Sequence, residues 1–328
     1  MAIRNRKIDR ILRYTLVSFV AAIGFAASAA VGAASYPDHT IKMTVTYPPG
    51  GATDFQARIA TEQAKKYLGQ SIAIVNKPGA GGQIGWNEFV RSAEPDGYEL
   101  STYNVPSFIA QAIKFPSNQF GVDKMEPVAN WGADPAVLIV PKDSDLKTID
   151  DFVKFAKENP NRITVSGAGL YTGHQIATLQ LQKAAGIKLN YIPTKGGVPA
   201  LQYVIGKKVM AGFNNMSDAY RSRDRLRVLA IADTARSKKY FPDVPTFKES
   251  GLDVDASSVN LRGVMAPKGT PEKILDQLSD GFQKMFNDPE TVKKMEAGGA
   301  PIRVMDRQQV SDLWHKRETL VKALIADQ

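Results

Sequence analysis

Residues 41–54 read IKMTVTYPPGGATD: a strand-like apolar run that stops at two prolines, turns on two glycines and opens a helix. The helix pattern continues through DFQARIATEQAKKYLG (54–69), where Phe55, Ile59 and Tyr67 keep an approximate helical spacing. A turn so stiff on entry and so bare in backbone admits three readings: a connector, a phosphate cradle, or a grip for another anion. The segments around it choose among them.

Outward from this turn, strand and helix patterns alternate. SIAIV (71–75), GGQIGWNEFVRSA (81–93) and YELSTYN (98–104) complete a β-α-β-α-β run, which implies a parallel sheet with helices on its faces. Ligands of such sheets sit at the carboxyl ends of the strands. After an extended stretch, EPVANWGADPAVLIVPKD (126–143), a second series follows: helix 148–160, strand 163–167, helix 173–186, strand 188–193, helix 198–208, and strands 209–213 and 227–232. Two helices (271–286 and 288–299), a short strand (301–305) and an amphipathic helix (308–327) close the chain. The expected fold is α/β, with two lobes. Residues 35–135 and 258–328 form lobe 1, and 136–257 form lobe 2 inserted into it. Two extended crossings, near 126–136 and 256–266, would act as a double hinge of the kind that closes like a clamp.

The first 34 residues read differently. Arg4, Arg6, Lys7, Arg10 and Arg13 precede an apolar run from Tyr14 to Phe25 and the small-residue stretch AASAAVGAAS. That is the layout of a secretory signal peptide, with cleavage expected near Ala34 and a periplasmic, soluble mature protein. These five cations and Asp9 supply +4 of the formal +9, leaving +5 for the mature chain. The basic stretch RSRDRLRVLAIADTARSKKY has no interleaved stacking aromatics and reads as a solvated face, so no nucleic-acid partner is expected. The absence of cysteine removes disulfides, thiolate chemistry and a lipid-modified anchor.

KPGAGGQIG (77–85) and SGAGLYTGH (166–174) both contain GxGxxxG between a strand and a helix. Each is one residue longer than the dinucleotide fingerprint, no acidic residue ends the strand after the second, and no GxxxxGK[ST] occurs, so neither nucleotide nor other cofactor is expected. What survives is more general. Three glycine-rich turns, at 50–52, 79–82 and 167–169, offer backbone N–H groups at helix N-termini, a match for a carboxylate. Of the three histidines, His174 could be a base only in a small-molecule enzyme using the same cleft, but Ser166 nearby is not in a GxSxG elbow. No metal-ligand spacing occurs and no catalytic residue is assigned.

TYPPGGATDFQAR, NKPGAGGQIG and PDGYELSTYN, in that order, resemble the opening of the Bug-type (TctC-like) periplasmic receptors of tripartite tricarboxylate transporters. LRVLAIADTARSKKYFPDVPTFKESGL and GVMAPKGTP resemble later segments of that family, so the likeness runs from about Tyr36 to the C-terminus. It implies a type II periplasmic-binding-protein fold: two lobes, a two-strand hinge and a small organic acid in the cleft. The implied partners are the membrane subunits of a tripartite carboxylate transporter, or a sensor protein, served by a monomer. The implied ligand shell is Tyr47, Pro48, Pro49, Gly50, Gly51, Ala52 and Asp54 in the first loop, then Gly79, Ala80 and Gly81, with Thr102 and Asn104 at the next strand end. Lobe 2 would add Ser166, Gly167, Ala168, Thr172 and His174, with the strand end at Phe213, Asn214 and Asn215. This second set departs from the family pattern: Tyr171 holds the usual hydroxyl position, Thr194 replaces a tyrosine, and Asn214 replaces a common aspartate. An uncharged Asn214 favours a plain di-, tri- or aromatic carboxylate over an amino acid. Asp54, which would repel an anion, is expected to cap the helix or organise a water or second donor.

Overall fold

The opening strand forms as β1 (Ile41–Val45), buried except at Lys42. A computed structural model describes residues 36–326; the proposed signal peptide lies outside the described residues. Prolines 48 and 49 lack the N–H a further strand position would need, and α1 (Ala52–Thr61) starts from an extended Gly51. The helix expected over 54–69 divides at Glu62 and Gln63 into α1 and α2 (Ala64–Leu68), which ends on a left-handed Gly69. β2 (Ile72–Asn76), α3 (Gln83–Ser92) and β3 (Glu99–Val105) follow, and both β2 and β3 pair parallel with β1. The next element, α4 (Ser107–Lys114), has no sequence signature of its own: five of its eight residues are buried, which blurs its polar face.

The chain then runs through β4 (Met125–Asp134) and, after Pro135 alone, into β5 (Ala136–Pro141) of a different sheet. That second sheet is completed by α5 (Ile149–Glu158), β6 (Thr164–Gly167), α6 (Gly173–Ala185), β7 (Asn190–Pro193), α7 (Gly197–Ile205), β8 (Ala211–Asn215), α8 (Met216–Arg221) and β9 (Leu226–Ala232). The return is β10 (Asn260–Pro267), followed by α9 (Glu272–Phe286), α10 (Pro289–Ala297), β11 (Ile302–Met305) and α11 (Arg307–Ala326). The first sheet has the order β11-β4-β10-β3-β1-β2 and the second β7-β6-β8-β5-β9.

The sheets are mixed rather than purely parallel. β10 runs antiparallel to both β3 and β4, and β5 runs antiparallel to β8 and β9. The reason is topological: β4 leads the chain out of the first sheet and β10 brings it back, so the two strands oppose each other. Their register sets Asn260 against Asp134 and Arg262 against Gly132 at the crossing.

Each sheet is covered on both faces. Ala136, Leu138 and Val140 of β5 enter one core with Phe152, Phe213 and Phe247, while Val137 and Ile139 enter another with Val204 and Met216. The alternation is the two-residue period of a strand buried on both sides. In the first sheet Trp86, Phe108, Phe120 and Trp314 form an aromatic core with edge-to-face and stacked contacts. From His39 onward the chain packs as one compact unit. No helix among the described residues is long and apolar enough to cross a membrane.

Candidate functional site

Between the two sheets, at the ends of β1, β3 and β8, lies a narrow cavity of about 20 Å³, room for a single water. Small-molecule pockets run from roughly 300 Å³. The glycine turns explain how the walls come so close. A Cβ on Gly169 would stand 3.0 Å from the Gly81 Cα, one on Gly196 2.7 Å from the Pro48 Cδ, and one on Gly51 3.4 Å from the Val198 Cγ2. The Gln111 amide donates to the Leu170 carbonyl across the same seam at 2.9 Å. At Gly169 and Gly81 backbone meets backbone, and at Gly51 and Gly196 the bare backbone lets Val198 and Pro48 of the opposite wall come close.

Helix N-termini converge on this cavity. α1, α4, α6 and α7 contribute Ala52 and Thr53, Ser107, His174 and Gly197 to its lining, and none of the four has a side-chain cap. α5 and α10, by contrast, are capped by Thr148 and Asp288. The lining contains no acidic side chain and one cation, Arg262. Aligned helix dipoles around an acid-free, Arg-bearing cavity make a positive potential that favours an anion.

The first loop divides its donors. Gly50 N–H donates to Asp54 Oδ2 at 2.9 Å, and Gly51 N–H points to the Pro48 carbonyl at 3.4 Å. Asp54 also accepts from the Asn76 amide at 2.8 Å and pairs with Arg58 at 2.9 Å. Burial would raise its carboxyl, but Arg58, the Gly50 N–H and Asn76 outweigh that and hold it below the ordinary carboxylate range. The amides that remain for a ligand are those of the first turn of α1. Tyr47, its hydroxyl pushed up to about 12 by burial, donates to the Gly81 carbonyl at 2.8 Å and so braces the two loops.

A buried polar network runs beneath the cavity through both crossing strands. Arg262, 1% exposed, donates to Thr53 Oγ1 (3.1 Å), Asp134 Oδ2 (2.9 Å) and Asn215 Oδ1 (2.7 Å). Asp134 further accepts from the Gln56 amide (2.9 Å) and from the Ser217 hydroxyl and N–H (2.5 and 3.1 Å). Asn215 Oδ1 also receives the Asn260 amide at 2.9 Å and lies 3.3 Å from His174 Nε2. His174 Nδ1 accepts the Ala168 N–H at 3.1 Å, which fixes the proton on Nε2. Burial pushes its pKa down to about 4, with Arg262 pushing the same way against the Asn215 bond and Asp134. The imidazole is thus a neutral donor whose basic lone pair is already occupied.

The sequence model described as "Tripartite tricarboxylate transporter family receptor" matches residues 56–328. The chain belongs to that family. The protein BugT of Bordetella pertussis is 34% identical over 288 residues, 86% of each chain. Among solved structures, the periplasmic binding protein BugD superposes with a TM-score of 0.82 at 26% identity, over 89% of this chain and 98% of its own. MatC from Rhodopseudomonas palustris, solved with bound malate, gives 0.80 at 25% identity over 88% and 99%. This Bug-type receptor therefore has the type II periplasmic-binding-protein fold, with two α/β lobes joined by a two-strand hinge.

In this receptor the residues expected from the sequence separate into two groups. Tyr47, Gly51, Ala52, Asn104, Ala168, Thr172 and His174 line the cavity. Pro49, Gly50 and Asp54 stand behind the first loop, and Gly79, Ala80 and Gly81 form the loop that meets Gly169 across the seam. Thr102 presents its carbonyl to the Trp86 indole, Ser166 donates to the Ala200 carbonyl, and Gly167 lies under the Tyr191 hydroxyl. Phe213 packs in the core against Phe247, and Asn214 donates to the Gly197 carbonyl at 3.0 Å. The neighbour, Asn215, is the one that lines the cavity. β8 extends two residues past the expected strand end at 213, so successive residues there point to opposite faces. Pro48 and Asn215, at the ends of the expected first loop and strand, also line the cavity, and Thr53, Ser107, Gly197, Asn260 and Arg262 do so without having been anticipated. Only Arg262 carried a usable signal: a lone charge inside the otherwise apolar run VNLRGVMA, where burial demands a partner. Among the described residues no group of three or more His, Cys, Asp or Glu could hold a metal.

Proposed function

We propose that the protein is exported, freed by cleavage near Ala34, and captures a small organic carboxylate between its lobes for delivery to the membrane subunits of a tripartite carboxylate transporter. The observation that carries this reading is the convergence of four uncapped helix N-termini on one cavity whose lining has no acidic side chain. Malate in the related MatC supports the same class of ligand. In this reading the lobes, 35–135 with 258–328 and 136–257, part about the two crossings. The acid then binds to the first turn of α1, and closure brings Thr172, His174 and Asn215 from the far wall. In this reading binding proceeds without turnover, consistent with a His174 lone pair that accepts the Ala168 N–H rather than standing free as a base. The test is a thermal-shift screen of the purified mature protein against organic acids. A ligand at about 100 times its Kd adds about 2.7 kcal/mol of stability. A panel of mono-, di-, tri- and aromatic carboxylates that leaves the transition unmoved would sink the reading.

A further inference from the structure

The network at Asn215 has an imbalance that the proposed carboxylate site does not use. Three donors from two elements point at one neutral amide oxygen. Arg262 Nη2 and Asn260 Nδ2 come from β10, and His174 Nε2 comes from α6. A neutral amide oxygen is a weaker partner for a guanidinium than a carboxylate oxygen, which adds its own charge. Three of the five guanidinium N–H groups are engaged by Thr53, Asp134 and Asn215, so each Nη keeps a second N–H. Arg262 itself lines the cavity. The acceptor, Asn215, belongs to the second sheet, whereas Arg262 and Asn260 belong to the first, so these bonds bridge the two walls.

We infer that Arg262 and Asn260, with His174 on closure, form a second anion subsite, for which the Asn215 carboxamide oxygen stands in, and that the ligand is a dicarboxylate whose second carboxylate takes that place. This rests on the receptor reading above and narrows it. One carboxylate meets the first turn of α1; the other meets the guanidinium. Both anchors are near each other, because Arg262 Nε donates directly to the Thr53 hydroxyl at the start of α1. A monocarboxylate leaves Arg262 with the amide it already has. The ammonium of an amino acid would face a fixed cation in a lining without a single acid. The neutral His174 fits the role as well, since it can donate its Nε2 proton to an anion and has no charge to lose.

The experiment compares dicarboxylates with their own half-esters. Succinate, glutarate and terephthalate, each paired with its monomethyl ester, are titrated calorimetrically into the periplasmically purified protein and two variants. In the native protein at least one diacid should bind about 100-fold more tightly than its half-ester, the effect of one desolvated charge pair. Arg262→Met combined with Asp134→Asn removes both buried charges together and should bring that ratio below about threefold, whatever both ligands lose in common from the weaker positive potential. Arg262→Lys keeps a charge opposite Asp134 without the planar fork, and should reduce the ratio about tenfold. Half-esters that bind as tightly as the diacids, or a diacid preference unchanged by either substitution, would overturn the second subsite and leave the receptor reading standing. No binding of any acid, in this series or in the wider screen, would overturn both.

Discussion

At Gly51 a single hydrogen separates a helix N-cap from the opposite wall. A side chain there would reach Val198 across the cleft before it touched anything in its own lobe except the Pro48 carbonyl. Gly51→Val is therefore expected to weaken ligand binding at least tenfold while the melting transition stays within about 1 kcal/mol of native, read by calorimetry and thermal denaturation. Gly50 is the internal control. Its φ of +77° is left-handed and a Cβ would meet nothing within 4 Å, so Gly50→Ala should lower stability by about 1 kcal/mol through backbone strain alone. His174 gives the second residue-scale expectation. Its pKa of about 4 lies below the ordinary 6.5, so the unfolded chain binds the proton first as pH falls. Stability should be complete above about pH 6.5 and decline between there and pH 4, by up to about 3 kcal/mol. Urea unfolding at pH 7 and 4.5 measures the difference, and His174→Gln should flatten it.

Among the elements, the two hinge strands hold the buried ion pair beneath the cavity. β4 ends in Asp134 and β10 begins with Asn260 and Arg262, so the buried ion pair ties the outgoing crossing to the returning one. Asp134→Ala would leave a buried guanidinium without its charge partner and should cost about 3–5 kcal/mol, measured by chemical denaturation. The double substitution Asp134→Asn with Arg262→Met removes both charges and should cost less than the single one. The elements themselves were largely legible in the sequence: each strand of both series lies where alternating patterns placed it, within a few residues. α4 and α8 were not, because one is nearly all buried and the other spans only Met216–Arg221. At the end of β8, where Phe213, Asn214 and Asn215 were all expected at the site, Asn215 lines the cavity while Asn214 turns to the Gly197 carbonyl. A strand alternates its faces at every residue, so a small error in its end exchanges inside for outside.

For the whole molecule, the closeness of the walls makes access the central question. A cavity of about 20 Å³ cannot admit a dicarboxylate unless the lobes part. The protein has no cysteine, so a pair introduced at Gly51 and Val198 would be the sole thiols. Oxidised to a disulfide, Gly51→Cys with Val198→Cys should block ligand uptake, and the reduced protein should recover it; equal uptake in both states would mean that the acid enters without opening. By itself the sequence determined the two α/β series, the glycine turns between strand and helix, and the family, because hydrophobic period and turn chemistry are local properties of the chain. Only the tertiary structure decided which groups meet: that the glycines at 51, 81, 169 and 196 let one wall touch the other, that the Gly50 N–H serves Asp54, and that Arg262 and Asn260 reach Asn215. Those partners lie tens of residues apart or more, and the energy of a buried polar group depends on what the fold places beside it.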